Sequence, residues 1–472
     1  MLLGRAGSFA AKGLEADARR KNRIAGDGDL CNCYYQTYER AVSTLTAFTL
    51  RLLWATILTI GSPAIHLFLL WRAKRGKEII SRIQERKGID KSPRPRGPVL
   101  WVHAASIGEV NSILPTLVVV LSRSKDITIL FTTGTVSSAT VLHDHTHALG
   151  ISNRVLHRFA PLDVPYWITR FLHHWRPEGA CFVESELWPN QLIQCKRQGI
   201  KVMLVNGRLS SRSFSAWQRI PSLAKNVLAS FYRIHARGPR DAMRFQSLGS
   251  TQVGIIGDLK FAAPRLSVNK SELATLHTAL ANRPIWLAAS THPGEEMLIA
   301  AAHHLLVIQY PSLLTIIVPR HPERGSLIAA KLDAPCRADV RSPPTGGIWI
   351  ANTLGELGLW YRLCSVAFIG RSLLPPGGGQ NLLEAARLRC VVIIGPYTAN
   401  FVEHVELLRE VNGLFEICDL SSLVKVVSRL LGDEMLRRAV TSRAAHAIQR
   451  HKCLPSQLAS AILDMVKLER CL

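Results

Sequence analysis

Apolar and polar positions change their period along the chain, and each change marks an element. Residues 52–71, "LLWATILTIGSPAIHLFLLW", carry no formal charge over twenty residues. That is about the length that crosses a hydrocarbon core. Pro63 and His66 interrupt the run, so a helix lying in the interface and a buried soluble helix stay open beside a span. The run starts too far from residue 1 for an ordinary signal peptide. From residue 98 short apolar runs rich in β-branched residues alternate with longer helical stretches. The first series predicts strands at 99–103, 127–132, 179–183 and 201–205. A second predicts them at 285–289, 313–318, 365–369 and 391–394. Strands alternating with helices imply an α/β fold with mostly parallel, doubly wound sheets. "GDLKFAAPRLSVNK", residues 257–270, separates the two series, and the boundary between two lobes is placed there. The expected organisation is a poorly ordered extension over 1–40, a membrane-anchor segment over 41–75, and lobes over 76–262 and 263–472. Ligands of such a pair bind at the carboxyl ends of the strands, in an interlobe cleft.

Composition narrows the picture. The chain is 47% hydrophobic and 19% charged, which supplies a large core and excludes disorder of the whole. Its formal charge of +24 calls for a polyanionic neighbour: nucleic acid, an anionic membrane face or a phosphorylated substrate. Residues 72–96 hold ten Lys and Arg against Glu78, Glu85 and Asp90, directly after the apolar run. Basic residues at that position mark the cytoplasmic side and attract an anionic membrane surface. The bulk of the protein is therefore expected to face the cytoplasm, tethered to its membrane. A basic nucleic-acid-binding protein is the rival reading. The basic run abuts an apolar segment and no zinc finger or RNP motif occurs, so no nucleic-acid partner is expected. Ten cysteines include no Cys-x-x-Cys, and only Cys31 and Cys33 lie close together, which reads as reduced thiols. Asp27 and Asp29, in the N-terminal extension, are assigned no metal.

The candidate chemistry lies on turns that follow predicted strands. In "HAASIGE" the small residues 104–106 leave room for a substrate, and Glu109 stands at a helix start. It reads as a general base or as a helix-cap acid. Glu184 and Glu186 in "ESELWPN" suit glycoside chemistry, although Trp188-Pro189 opens a helix there and one acid can be its cap. Lys260 and Arg208 sit on loops where a cation neutralises an anionic substrate. "GGGQNLLE" lets the backbone approach a ligand and starts a helix near Asn381, an arrangement for phosphate; a flexible linker is the alternative. Glu384 shares a helix face with Asn381 and reads as a ribose acceptor or as an acid complementing the helix dipole. No P-loop follows, and no Gly-x-Gly-x-x-Gly follows the first strand, which disfavours ATP hydrolysis and NAD chemistry. His292 and His321 lack a third ligand at suitable spacing, so no metal is expected.

Taken in order, "HAASIGEVNSILP", "ESELWPN", "NGRLSSRS", "GDLKF", "STHPGEE", "VPRHPER", "NTLGELGLWY" and "GGGQNLLEAARLRCVVIIGPYTANF" resemble the Kdo transferases, which add 3-deoxy-D-manno-oct-2-ulosonic acid to lipid A. The resemblance covers about residues 60–455. It implies a GT-B fold of two Rossmann-like lobes, an N-terminal membrane anchor matching 52–71, the donor CMP-Kdo and a lipid A precursor as acceptor. It implies inverting transfer without an essential metal or cofactor. Glu109 then matches the family's base, and Glu184 and Lys260 its transition-state stabilisers. Its CMP contacts fall on Pro319 and Arg320, on Leu354, Gly355 and Glu356, and on Asn381, Leu382, Leu383 and Glu384. The chain departs from the family at Gln380, Ala262, Arg371 and Tyr397, three of them beside the nucleotide contacts. A GT-B transferase using another sugar nucleotide, and a degenerate homologue kept as a membrane scaffold, are the rivals that remain.

Overall fold

The computed structural model describes residues 45–467 apart from 47, 264, 281 and 282, so the expected extension over 1–40 lies outside the described residues. Two compact units make up the chain. Of the described residues, one takes those up to Val110, Ser124–Ile255 and those from Ile462 on; the other takes Asn111–Arg123 and Ile256–Ala461.

The first unit is built on a seven-stranded sheet: β1 Val99–Ala104, β2 Thr128–Thr133, β3 Val155–Phe159, β4 Gly179–Val183, β5 Lys201–Gly207, β6 Arg233–Ala236 and β7 Val253–Ile255. Their order is β3-β2-β1-β4-β5-β6-β7, and every pairing is parallel. Every residue of β1 and β4 is buried, as expected of strands covered by crossover helices on both faces. Trp101 of β1 packs against Phe171 and Phe182 with both ring centroids 4.9 Å away, and its indole donates to Thr132 Oγ1 at 2.8 Å.

The second unit repeats the plan on six strands: β8 Ile285–Thr291, β9 Leu314–Pro319, β10 Gly347–Ile350, β11 Val366–Ile369, β12 Val391–Ile394 and β13 Leu414–Glu416. The order is β10-β9-β8-β11-β12-β13, again all parallel. Trp286 on β8 donates to Thr315 of β9 at 2.7 Å, the counterpart of Trp101 and Thr132. In each sheet the winding reverses beside the first strand, between β1 and β4 and between β8 and β11. Ligands of doubly wound sheets bind at the carboxyl ends of the strands at that reversal. The turns singled out from sequence occupy those places: "HAASIGE" and "ESELWPN" in one sheet, "STHPGEE" and "GRSLLPPGGGQN" in the other.

Ahead of the first sheet the apolar run forms two helices, Phe48–Ile60 and Ser62–Lys74, bent by 56° at Gly61. Among the described residues no single helix is long and apolar enough to cross a membrane, and this bent pair passes only when taken together. Leu52, Leu53, Ile57, Leu67, Phe68 and Trp71 are exposed along the pair. Side-chain hydrogen bonds tie the pair to the rest of the first unit. Trp54 Nε1 donates to Asp163 Oδ2 at 3.1 Å, and Tyr166 Oη donates to Ser62 Oγ at 3.0 Å.

Candidate active site

Glu109 lies in the first turn of helix Ile107–Arg123 and is buried. Its carboxylate accepts from the Ala105 N–H at 2.7 Å and from Ser106 Oγ at 2.8 Å. Ser106 and Glu109 have the spacing of a capping box, so the acid does support the helix start. Its electrostatics go beyond a cap. Burial, then the neighbouring Glu184, push its pKa up to about 7; Glu186 adds to the rise, and the bonds from Ser106 and Ala105 oppose it. Loss of solvation and like charges both disfavour the ionised form.

Glu184 follows β4 with φ 61, a left-handed conformation that is strained for a side chain with a Cβ. Its N–H donates to Val205 O at 2.9 Å, and its carbonyl accepts from Arg208 N at 3.2 Å, locking the turns after β4 and β5 together. Glu186 stands opposite His103 Nε2 at 3.2 Å and takes the Trp188 indole N–H. Burial raises its pKa, but the bonds from His103 and Trp188 outweigh that and hold it below the ordinary carboxylate value. Neither acid caps helix Pro189–Arg197. That task falls to Asp163, which accepts from Asn190 N at 3.2 Å and Gln191 N at 2.9 Å. A cap supplied from a distant turn leaves no local spacing in sequence, and for that reason it was missed.

In the second unit the matching position is Glu295. It follows β8 through Gly294 as Glu109 follows β1 through Gly108, but it is answered differently. Its carboxylate takes four backbone N–H groups: His292 at 2.9 Å, Arg371 at 2.7 Å, Ser372 at 3.0 Å and Leu373 at 3.1 Å. Glu296 takes Thr291 Oγ1 and Arg324 Nη1. These two acids clamp the turns after β8, β9 and β11, and sequence reasoning assigned neither a role. Ser290, near the end of β8, and Arg371, on the turn after β11, have φ 56 and 58.

The glycine turn is more packed than its sequence implies. A Cβ on Gly377 would lie 2.1 Å from Tyr397 Cβ, and one on Gly378 would lie 2.6 Å from Asn400 Nδ2. These two glycines therefore admit their own neighbours, while Gly379 has no atom within 3.4 Å of such a Cβ. The helix that follows is only Leu383–Arg387, five residues beginning two positions after Asn381, so its dipole is small. Asn381 Nδ2 donates to Glu384 Oε1 at 2.8 Å, and Leu383 N donates to Asn381 Oδ1 at 3.2 Å. The side chains of Leu382 and Leu383 are in the core, which leaves their main chain alone to face a ligand. Gln380 Nε2 lies 3.1 Å from His292 Nε2. Arg320 is exposed at the end of β9, and Arg371 and Arg320 both depress the His292 pKa after burial. Positive charge at this strand end thus comes from side chains more than from a helix terminus. His292 and His321 face each other with ring centroids 6.1 Å apart.

Lys260 sits in the turn Leu259–Ala262, with its N–H on Asp258 Oδ1 at 2.8 Å. Its carbonyl accepts from Arg387 Nη2, and Phe261 beside it stacks on His451 at 4.4 Å. Arg387 belongs to the Glu384 helix, so the Lys260 main chain is fixed to that helix within the second unit. Glu356 instead joins an ion-pair network with Arg337, which also binds Glu272; Leu354 is exposed and Gly355 has φ 82.

Two parallel doubly wound sheets with charged turns at their reversals define a GT-B-like fold. UDP-GlcNAc 2-epimerase from Neisseria meningitidis has this fold, with a TM-score of 0.55 and 12% identity over 78% of this chain and 100% of that one. The model of the family "3-Deoxy-D-manno-octulosonic-acid transferase (kdotransferase)" matches residues 81–263. A probable mitochondrial 3-deoxy-D-manno-octulosonic acid transferase from Arabidopsis thaliana is 36% identical over 76% of this chain and 82% of its own. The 3-deoxy-D-manno-octulosonic acid transferase of Haemophilus influenzae is 30% identical over 88% of this chain and 98% of its own. The chain belongs to the 3-deoxy-D-manno-octulosonic acid (Kdo) transferase family and is a glycosyltransferase.

Proposed function

We propose that the protein transfers Kdo from CMP-Kdo to a lipid A precursor in lipopolysaccharide core biosynthesis, with Glu109 as the general base. The first unit holds the acceptor and the second the donor. Glu109 removes the proton from an acceptor sugar hydroxyl. The oxygen bonds to the anomeric carbon of Kdo as the bond from that carbon to the phosphate oxygen breaks. CMP leaves with the electron pair, and configuration inverts. Arg320 and Arg371 offset the phosphate charge, and Glu184 and Lys260 stabilise the transition state. Asn381 and Glu384 hold the ribose, with Pro319, Leu354, Gly355, Glu356, Leu382 and Leu383 completing the nucleotide contacts. The bent helix pair rests on an anionic membrane surface; in a bacterial cell that is the cytoplasmic face of the inner membrane.

One observation carries this reading. At equivalent positions of two similarly wound sheets, Glu295 accepts hydrogen bonds from four backbone amides, whereas Glu109 faces two like-charged acids and has a pKa near 7. A base poised near the working pH is what proton abstraction needs. The deciding experiment is Glu109→Gln assayed with CMP-Kdo and lipid acceptor by mass spectrometry. Transfer falls by about 10²–10⁴-fold, while CMP binding persists. Turnover near that of the unaltered enzyme rejects Glu109 as the base.

A further inference from the structure

A pocket of about 270 Å³ lies in the first unit under helix Ser62–Lys74. Phe68, Leu69 and Arg72 of that helix line it, together with His103, Glu186 and Ala105. Ala105 is the residue whose N–H holds Glu109. The helix that carries the exposed apolar residues is therefore also a wall of the space beside the proposed base. The volume is just under the ~300–1,000 Å³ of sites for drug-sized ligands. It suits one sugar unit, not a whole lipid.

The charges in this pocket are unequal in what they leave over. Glu78 is shared by two arginines, Arg72 Nε at 3.1 Å and Arg86 Nε and Nη2, each at 3.1 Å. Arg86 is buried and spends its remaining donors on the carbonyls of Thr133, Ala160 and Gly134. Arg72 is different. Its side chain is 29% exposed, its guanidinium lies 5.9 Å from the Phe68 ring centroid, and its Nη atoms take no hydrogen-bond partner among the described residues. Two arginines on one carboxylate leave one net positive charge, and it is presented by Arg72. Glu186 and Asp163 line the same pocket and repel an anion, so a phosphate belongs at the Arg72 end and hydroxyls at theirs.

We infer that Arg72 binds a phosphate on the acceptor sugar that enters this pocket, so the helix is a substrate-recognition element as well as a membrane contact. The inference rests on the acceptor reading above; lipid A precursors are glucosamine disaccharides with phosphate at each end. An Arg–phosphate pair is charge-assisted and bidentate, and its loss costs about ten- to a hundredfold in affinity.

The test compares two acceptors, a tetra-acylated glucosamine disaccharide bisphosphate and the same lipid lacking the phosphate on its non-reducing sugar. The full chain is assayed with CMP-Kdo in detergent, which removes any effect of membrane tethering. The unaltered enzyme shows a KM about ten- to a hundredfold lower for the bisphosphate, with kcat less changed. Arg72→Gln erases that preference, and Arg72→Lys, which keeps the charge without the fork, keeps part of it. Two results overturn the proposal: an unaltered enzyme with no preference, or variants that keep the full preference. Failure of the unaltered enzyme to modify either lipid rejects the acceptor reading itself.

Discussion

With Glu109 as the proposed base, catalysis and stability pull in opposite directions. The group titrates near 7 in the fold against an ordinary 4.5. Its folded value is raised, so its contribution to stability is fully present below pH 4.5 and is lost as pH rises through 7. By linkage that loss is at most ~3 kcal/mol. The proposed base acts in its ionised form, so kcat/KM is expected to rise across the same window. Glu109→Gln is therefore expected to melt at a higher temperature than the unaltered protein at pH 8 and to show a smaller difference at pH 5, while losing transfer at both. Thermal unfolding at the two pH values checks the sign. A stability gap that is equal at both pH values separates the carboxylate from this linkage.

Among the elements, two buried acids hold turns in place from a distance. Asp163 ties its own turn to two others: the Trp54 indole, and the first amides of the helix that follows Glu184 and Glu186. Burial pushes its pKa up to about 6 against the bonds from Trp54, Gln191 and Asn190. Asp163→Ala orphans these donors and is expected to cost about 2 kcal/mol or more, read by denaturant unfolding; Trp54→Phe, which removes one bond, costs less. Glu295→Gln replaces one acceptor oxygen by an amide facing N–H groups. It is expected to weaken CMP binding by tenfold or more, with about 2 kcal/mol lost in the second unit; calorimetry with CMP checks the first. Sequence could not show these acids, because their partners are remote in the chain. It did show the strands that run through the middle of each sheet. The central runs 99–103, 179–183, 285–289 and 391–394 are continuous apolar stretches because both faces are covered. Among the strands missed, β3 "VLHRF", β10 "GIWI" and β13 "LFE" lie at or beside sheet edges, where one side is polar or the strand is short. The turns were legible from local spacing. The five-residue length of the Leu383–Arg387 helix was not, because "NLLEAARL" has a longer helical pattern than the packed turn permits.

For the whole molecule, the bent helix pair and the charge of +24 act together. Arg51, Arg72 and Arg75 lie over Phe48, Phe68 and Trp71, so apolar faces and cations alternate along the pair. A surface of this kind binds anionic lipid through both burial and charge. Co-sedimentation with phosphatidylglycerol vesicles is expected to exceed that with neutral vesicles and to weaken with salt. Leu67→Glu and Trp71→Glu are expected to reduce it by tenfold or more; unchanged binding assigns the attachment to another surface.

The last helix, Leu454–Lys467, has a consequence for biosynthesis. Its final residues, Ile462, Leu463, Met465 and Val466, are buried and count with the first unit, where a Cβ on Gly179 of β4 would come within 2.9 Å of Met465 Cε. A ribosome delivers the N-terminal part of a chain first, yet here the sheet of the first unit waits for residues translated after every strand of the second. A message cut short before codon 462 would thus release a product whose early half exposes the apolar floor meant for those four side chains, a natural target for chaperones and proteases.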